Sequence, residues 1–134
     1  MDERTEQLEL SHDVSAPRAA RVFVSRTLAE WGHGVTAIER FKLLVSELVS
    51  NAVLHGSGAI EISVIERDYS DDGAGLVRIE VRNDGHGTPT MRHAHRDDLS
   101  GRGLRLIDEL SHRWGSHARD GHTVVWFEGD PRSA

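Results

Sequence analysis

The stretch from Thr36 to His55 limits the possible folds of this chain more than any other segment. At about 100° of rotation per residue, Ile38, Phe41, Val45, Leu48 and Ala52 fall on one arc of a helix. Glu39, Lys42, Ser46 and Ser50 fall on the opposite arc, which is expected to face solvent. A helix with so broad an apolar arc has to lie against another apolar surface. Thr36, with Glu39 three residues on, has the form of a capping box, and Gly56-Ser57-Gly58 ends the helix. Glu47, Asn51 and His55 share the line between the two arcs through their i, i+4 spacing. Such a line can edge a cleft, and taken alone it is also how the solvated flank of an amphipathic helix looks.

The opposing surface is a sheet. Ile60, Ile62 and Val64 alternate as in a strand, as do Leu76, Val77, Ile79 and Val81, and the polar turn between Asp68 and Gly75 makes the two an antiparallel hairpin. Trp114 to Arg119 and Thr123 to Phe127 form a second hairpin around Asp120-Gly121. Leu8 to Val14 reads as a short strand. Ser15-Ala16-Pro17 opens a helix with Ala20, Phe23, Val24, Leu28 and Trp31 on one face. Thr88 to Ser100 lacks periodicity and reads as a loop, and a helix bearing Leu104, Leu106, Ile107 and Leu110 follows it. One sheet with all helices on one face buries these apolar faces economically. The expected fold class is therefore α/β (α+β), a two-layer sandwich with a mixed, mostly antiparallel sheet, in one domain over residues 1–134 with its core at about 8–128.

With 134 residues there is room for a single domain. A net charge of -6 argues against direct nucleic-acid binding, which needs a basic face. No apolar run approaches the roughly 18 residues of a membrane span. The acidic start, Met1-Asp2-Glu3-Arg4, is unlike a secretory leader, and without cysteine there is no disulfide framework. A cytoplasmic protein without membrane association is the expectation.

Three features carry chemistry. Asn51 offers a neutral amide oxygen suited to Mg²⁺ that also holds substrate phosphates. Glu47, one turn earlier, is a carboxylate able to take a proton from a nucleophile, and His55 suits a helix end. Asn83-Asp84-Gly85-His86-Gly87 follows a strand, and its glycines allow close backbone approach to a flat ligand. Gly101-Arg102-Gly103-Leu104 opens a helix whose free N–H groups suit phosphate, with Arg102 available beside them. His93-Ala94-His95 with Asp97 and Asp98 could be read as a metal site, but a lone His pair is poor support for one.

In this order and together, the three features resemble the GHKL, or Bergerat-fold, ATPases, which include DNA gyrase, histidine kinases and the anti-sigma-factor serine kinases. Glu47 to Gly56 is similar to the family's N box. Asn83-Asp84-Gly85-His86-Gly87 sits where the first glycine box belongs, Gly101-Arg102-Gly103-Leu104 resembles the second, and Thr88 to Ser100 would be the ATP lid. Gly121-His122-Thr123 resembles the last strand's Gly-x-Thr, whose Thr lies near the adenine. The short form, with a Trp-Gly pair at Trp114-Gly115, resembles the stand-alone anti-sigma regulatory factors of actinobacteria.

The resemblance implies ATP and Mg²⁺ as cofactors, Glu47 as catalytic base and Asn51 as metal ligand. It implies that Asn51, His55, Asn83, Gly85, Gly87, Gly101, Arg102, Gly103, Leu104 and Thr123 line the nucleotide site. The implied activity is serine/threonine phosphorylation of an anti-anti-sigma (STAS-type) partner, alternating with sequestration of a sigma factor, in a homodimer. The alternative is a partner-binding regulator without kinase activity. The first helix, with Arg18, Arg21 and Arg26 off its core face, is a candidate partner surface.

One position departs from the pattern. The family's first glycine box begins with an Asp that accepts a hydrogen bond from the adenine amino group, and here it is Asn83. The neutral amide keeps an acceptor and loses about 1–2 kcal/mol of charge assistance. Its added donor tolerates a purine with a carbonyl at that edge. Asp84 cannot substitute, since adjacent residues on an extended chain point to opposite faces.

Overall fold

The computed structural model describes residues 3–68, 75–84, 105 and 107–132. In chain order these form β1 (Glu3–Leu10), α1 (Ala16–Glu30), α2 (Val35–His55), β2 (Ser57–Asp68), β3 (Gly75–Asp84), β4 (Arg113–Arg119) and β5 (His122–Gly129). Residues 107–110 are also helical, with Ile107 buried against the core. The expectations placed on Gly85, Gly87, the lid at 88–100, His93, His95, Asp97, Asp98, Gly101, Arg102, Gly103, Leu104 and Leu106 lie outside the described residues.

The strands form one sheet in the order β1-β2-β3-β5-β4, and every described pairing is antiparallel. Alternation sorts the side chains. Ile60, Ile62 and Val64 of β2, Val77, Ile79 and Val81 of β3, and Val125 and Phe127 of β5 are buried on the face that carries α1 and α2. Their odd-even partners line the opposite face, where no described helix packs. There Gln7, Glu61, Ser63, Glu80, Arg82 and His122 border a polar concavity of about 600 Å³.

α2 is the centre of the helical layer. Its apolar arc is buried as expected, and Phe41 stacks on Phe127 with ring centroids 5.6 Å apart. The opposite arc is less free than the sequence suggests. Ser46 is half-buried, and its hydroxyl accepts a hydrogen bond from Arg21 Nη1 at 2.8 Å. This contact also takes Arg21 out of a surface offered freely to a partner, because α1 packs along that flank of α2.

Three local expectations differ from the structure. The first strand runs over Glu3–Leu10, not Leu8–Val14, and Val14 is 91% exposed. Its residues from Glu3 to Glu9 are exposed, so backbone pairing with β2 from Glu3↔Arg67 to Leu10↔Ile60, with side-chain contacts such as Arg4–Glu66 and Gln7–Ser63, holds it in place. A charged, exposed edge strand also discourages pairing with a further strand. At the start of α1, Ser15 makes no side-chain cap; its hydroxyl and N–H both donate to Asp13 Oδ1. Those two bonds hold the Asp13 carboxyl below its ordinary value. The capping box of Thr36 and Glu39 does not form either. α2 begins one residue earlier, with Gly34 as N-cap, and the first turn closes by Ile38 N–H donating to the Gly34 carbonyl at 3.0 Å. Glu39 pairs instead with Lys42 at 3.2 Å.

Candidate functional site

The two halves of the site come from α2 and from the far end of the sheet. Along α2, Glu47 is half-buried, Asn51 is 7% exposed and His55, the last helical residue, is exposed. The three do not share one environment because each i, i+4 step turns by about 40° around the helix. That turn carries Asn51 toward the buried arc relative to Glu47, whereas His55 is exposed as the last residue of the helix. Among the described residues the Glu47 carboxylate has no hydrogen bond or ion pair, so its lone pairs are available. His55 lies where a cationic ring complements the helix dipole.

From the sheet come Asn83 and Thr123. Asn83 is the penultimate residue of β3 and Thr123 the second of β5, and the register pairs them directly. Both point to the helix-covered face and both are buried, at 6% exposure. Buried polar groups need partners. Asn83 Nδ2 donates to the Asp84 carbonyl at 3.2 Å, and its Oδ1 accepts nothing among the described residues. Asp84, as the alternation requires, is exposed on the other face, where its carboxylate meets His122 Nδ1 at 2.9 Å. Of Asn83 and Asp84, it is therefore Asn83 that faces, with Thr123 beside it, the position at this edge of the sheet that a bound ring could meet.

The segment joining the two halves has a role that the sequence reading missed. Gly56-Ser57-Gly58 was expected to stop a helix, with Gly56 also the last residue of the N-box resemblance. Gly56 is indeed the C-cap of α2, its N–H donating to the Ala52 carbonyl at 2.8 Å. But β2 already begins at Ser57, pairing with Asp84 across a bulge before Ile60. All three residues contact Asn83 or Asp84: Gly56 lies beneath the Asn83 amide, Ser57 Oγ donates to the Asp84 carbonyl at 2.8 Å, and Gly58 lies against the Asp84 side chain. The signal was the second glycine, since one suffices to end a helix.

His12 braces this segment from behind. Its ring nitrogens lie 3.0 Å from the carbonyls of Val53, in the last turn of α2, and Gly58. The helix end and the bulge are thus tied together beside Asn51 and Asn83.

The arrangement offers neutral oxygen donors at Asn51, Asn83 and Thr123, with a carboxylate one turn away at Glu47. Hard cations with retained waters suit a neutral amide oxygen, and the Asn83 acceptor suits an amino group on a heterocycle. The residues present therefore fit a Mg²⁺–nucleotide at this end of the molecule. Among the described residues no cluster of His, Asp and Glu forms an alternative metal site, and no helix is long and apolar enough to cross a membrane.

Comparison with known proteins agrees with this geometry. Residues 10–128 match the histidine kinase-like ATPase domain family. The chain is 34% identical over 104 residues to the anti-sigma F factor of Geobacillus kaustophilus, covering 68% of this chain and 67% of that protein. The anti-sigma F factor of Geobacillus stearothermophilus matches with the same identity and coverage. A structure of the RsbU and RsbW domains from Mycobacterium tuberculosis superposes with a TM-score of 0.68 at 22% identity, covering 95% of this chain and 32% of that one. A blue-light activated histidine kinase domain from Erythrobacter litoralis superposes with a TM-score of 0.51 at 23% identity, over 70% of this chain and 44% of that one. The chain spans less than half of either solved structure, and those likenesses concern the fold.

Proposed function

The chain belongs to the histidine kinase-like ATPase domain family, and from that premise we propose that it is an ATP-binding anti-sigma regulator that phosphorylates Ser or Thr of an anti-anti-sigma (STAS-type) protein and, when not so engaged, sequesters a sigma factor. The observation that carries the reading is Glu47, uncommitted and half-buried, one turn before the buried Asn51. It stands in a chain 34% identical to an anti-sigma F factor. A homodimer in the cytoplasm completes the proposal.

In this reading Asn51 holds Mg²⁺ through its amide oxygen, and Asn83 and Thr123 meet the base. Gly85, Gly87, Gly101, Arg102, Gly103 and Leu104 line the nucleotide pocket, the 101–104 segment toward phosphate, and His55 belongs to the same set at the end of α2. Bound Mg²⁺–ATP supplies an electrophilic γ-phosphorus with ADP as its leaving group. The partner's hydroxyl oxygen forms the new bond to that phosphorus as the bond to ADP breaks, and Glu47 takes the hydroxyl proton. Positioned general bases contribute about 10²–10⁴-fold in rate.

One observation favours a second reading, a partner-binding regulator without kinase activity. Asn83 stands where the family has a carboxylate, which weakens the hold on the base. The two readings separate when the protein is incubated with γ-labelled ATP, Mg²⁺ and a STAS-domain protein of the same organism. The kinase reading expects label on a Ser or Thr. It also expects the Glu47→Ala variant to lose about 10²–10⁴-fold in transfer while binding nucleotide as the parent does. Transfer that persists in Glu47→Ala removes Glu47 from the mechanism, and absence of label beside intact sigma-factor binding supports the second reading.

A further inference from the structure

A Cβ built on Gly56 would lie 1.6 Å from Asn83 Nδ2 and 2.7 Å from its Cγ. The backbone there, at φ -108° and ψ -169°, is one that any residue adopts. What requires glycine is space. The Asn83 carboxamide lies on the bare backbone of Gly56, in the volume a side chain would take. The Ser57 hydroxyl holds the Asp84 carbonyl from one direction at 2.8 Å, and Asn83 Nδ2 donates to that same carbonyl at 3.2 Å.

These contacts fix which end of the amide faces which way. An amide oxygen in place of Nδ2 would set two acceptors against each other, so the nitrogen is turned inward and spent on Asp84. Oδ1 is left without a partner among the described residues. Oxygen and nitrogen are both present in the asparagine, but only the oxygen is presented.

On the reading given above, in which a nucleotide base lies against this edge, we propose that Gly56 is a positioning residue that locks Asn83 as an acceptor. The site then selects purines with an exocyclic amino group at that edge over purines with a carbonyl there. A carbonyl would meet the Asn83 oxygen acceptor to acceptor, a mismatch worth about ten- to a hundredfold in affinity. The tolerance for carbonyl purines that the asparagine suggests from its composition is thus removed by how it is held.

The test is calorimetric titration of ATP and inosine triphosphate, which carries a carbonyl at the same ring position, into the full chain and its variants. Thermal melting of each variant accompanies the titrations. The parent should prefer ATP by about ten- to a hundredfold, and Asn83→Ala should abolish the preference. Gly56→Ala should reduce it in the parent and leave the ratio unchanged when added to Asn83→Ala. A Cβ at Gly56 also meets the Ala52 carbonyl at 2.9 Å, so some loss of melting temperature is expected in both backgrounds. Asn83→Gln, which keeps the amide and moves it by a methylene, avoids that contact and should also lose the preference.

A Gly56→Ala protein that weakens both nucleotides equally and keeps their ratio would overturn the proposal, as would Asn83→Gln with its preference intact. A parent that binds ATP and inosine triphosphate equally defeats this inference alone. A parent that binds neither defeats the nucleotide reading and this inference with it.

Discussion

Glu128 shows how one residue can be held charged on the face of the sheet without a described helix. It is only 2% exposed, and its carboxylate accepts from Arg78 Nη1 at 3.2 Å and from Arg113 Nε. Arg78 in turn lies 4.0 Å over the Trp126 ring. Burial pushes the Glu128 carboxyl up, but the hydrogen bonds and charges of Arg113 and Arg78 outweigh it and hold the group below the ordinary 4.5. A lowered folded value means that the unfolded chain takes the proton first. The contribution to stability is therefore full above the unfolded value and is lost as pH falls through the folded one. Glu128→Gln should cost about 2 kcal/mol at neutral pH. Urea melts should show that deficit shrinking as the pH drops below the ordinary carboxylate range. A deficit that stays constant into acid would show that shape, and not charge, is what Glu128 contributes.

At the scale of elements, α2 carries both stability and site. Phe41 anchors it to β5 through the stacked contact with Phe127 and is fully buried. Phe41→Ala should cost about 3–5 kcal/mol in a denaturant melt, and a loss under about 1 kcal/mol would mean that the helix is held elsewhere. The periodicity of this helix and the alternation of β2, β3 and β5 were legible in the sequence because they record a packing requirement residue by residue. The Asp120-Gly121 hairpin was legible because both residues adopt positive φ, at 53° and 82°. Other features were less legible because they depend on contacts between distant segments. β1 is held by backbone pairing and by polar contacts such as Arg4–Glu66 and Gln7–Ser63, so it carries little apolar signal. Ser46 looks solvated until Arg21 arrives from α1. Gly56-Ser57-Gly58 looks like a stop signal until β3 is laid across it. Within the site, the types of Glu47, Asn51, Asn83 and Thr123 were readable, whereas the locked orientation of Asn83 was not.

Across the whole molecule, one sheet face is committed to helices and the other is left polar, and the candidate site lies at one end of the covered side. There the C-terminal turns of α2 meet the end of β3 and the start of β5. Asn51, Asn83 and Thr123 are buried polar residues brought to that end from three separate elements. Among the described residues the Asn83 oxygen has no partner, which leaves it as the acceptor a base at that end would meet. The central claim is that this end binds a Mg²⁺–nucleotide. It is tested most directly by calorimetric titration of ATP into the parent and into Asn51→Ala, each with Mg²⁺ and with EDTA. The account predicts saturable ATP binding to the parent that weakens when Mg²⁺ is chelated, and an Asn51→Ala protein whose weaker binding no longer responds to the metal. A parent that binds no ATP, or an Asn51→Ala protein that loses affinity equally with Mg²⁺ and with EDTA, would contradict it.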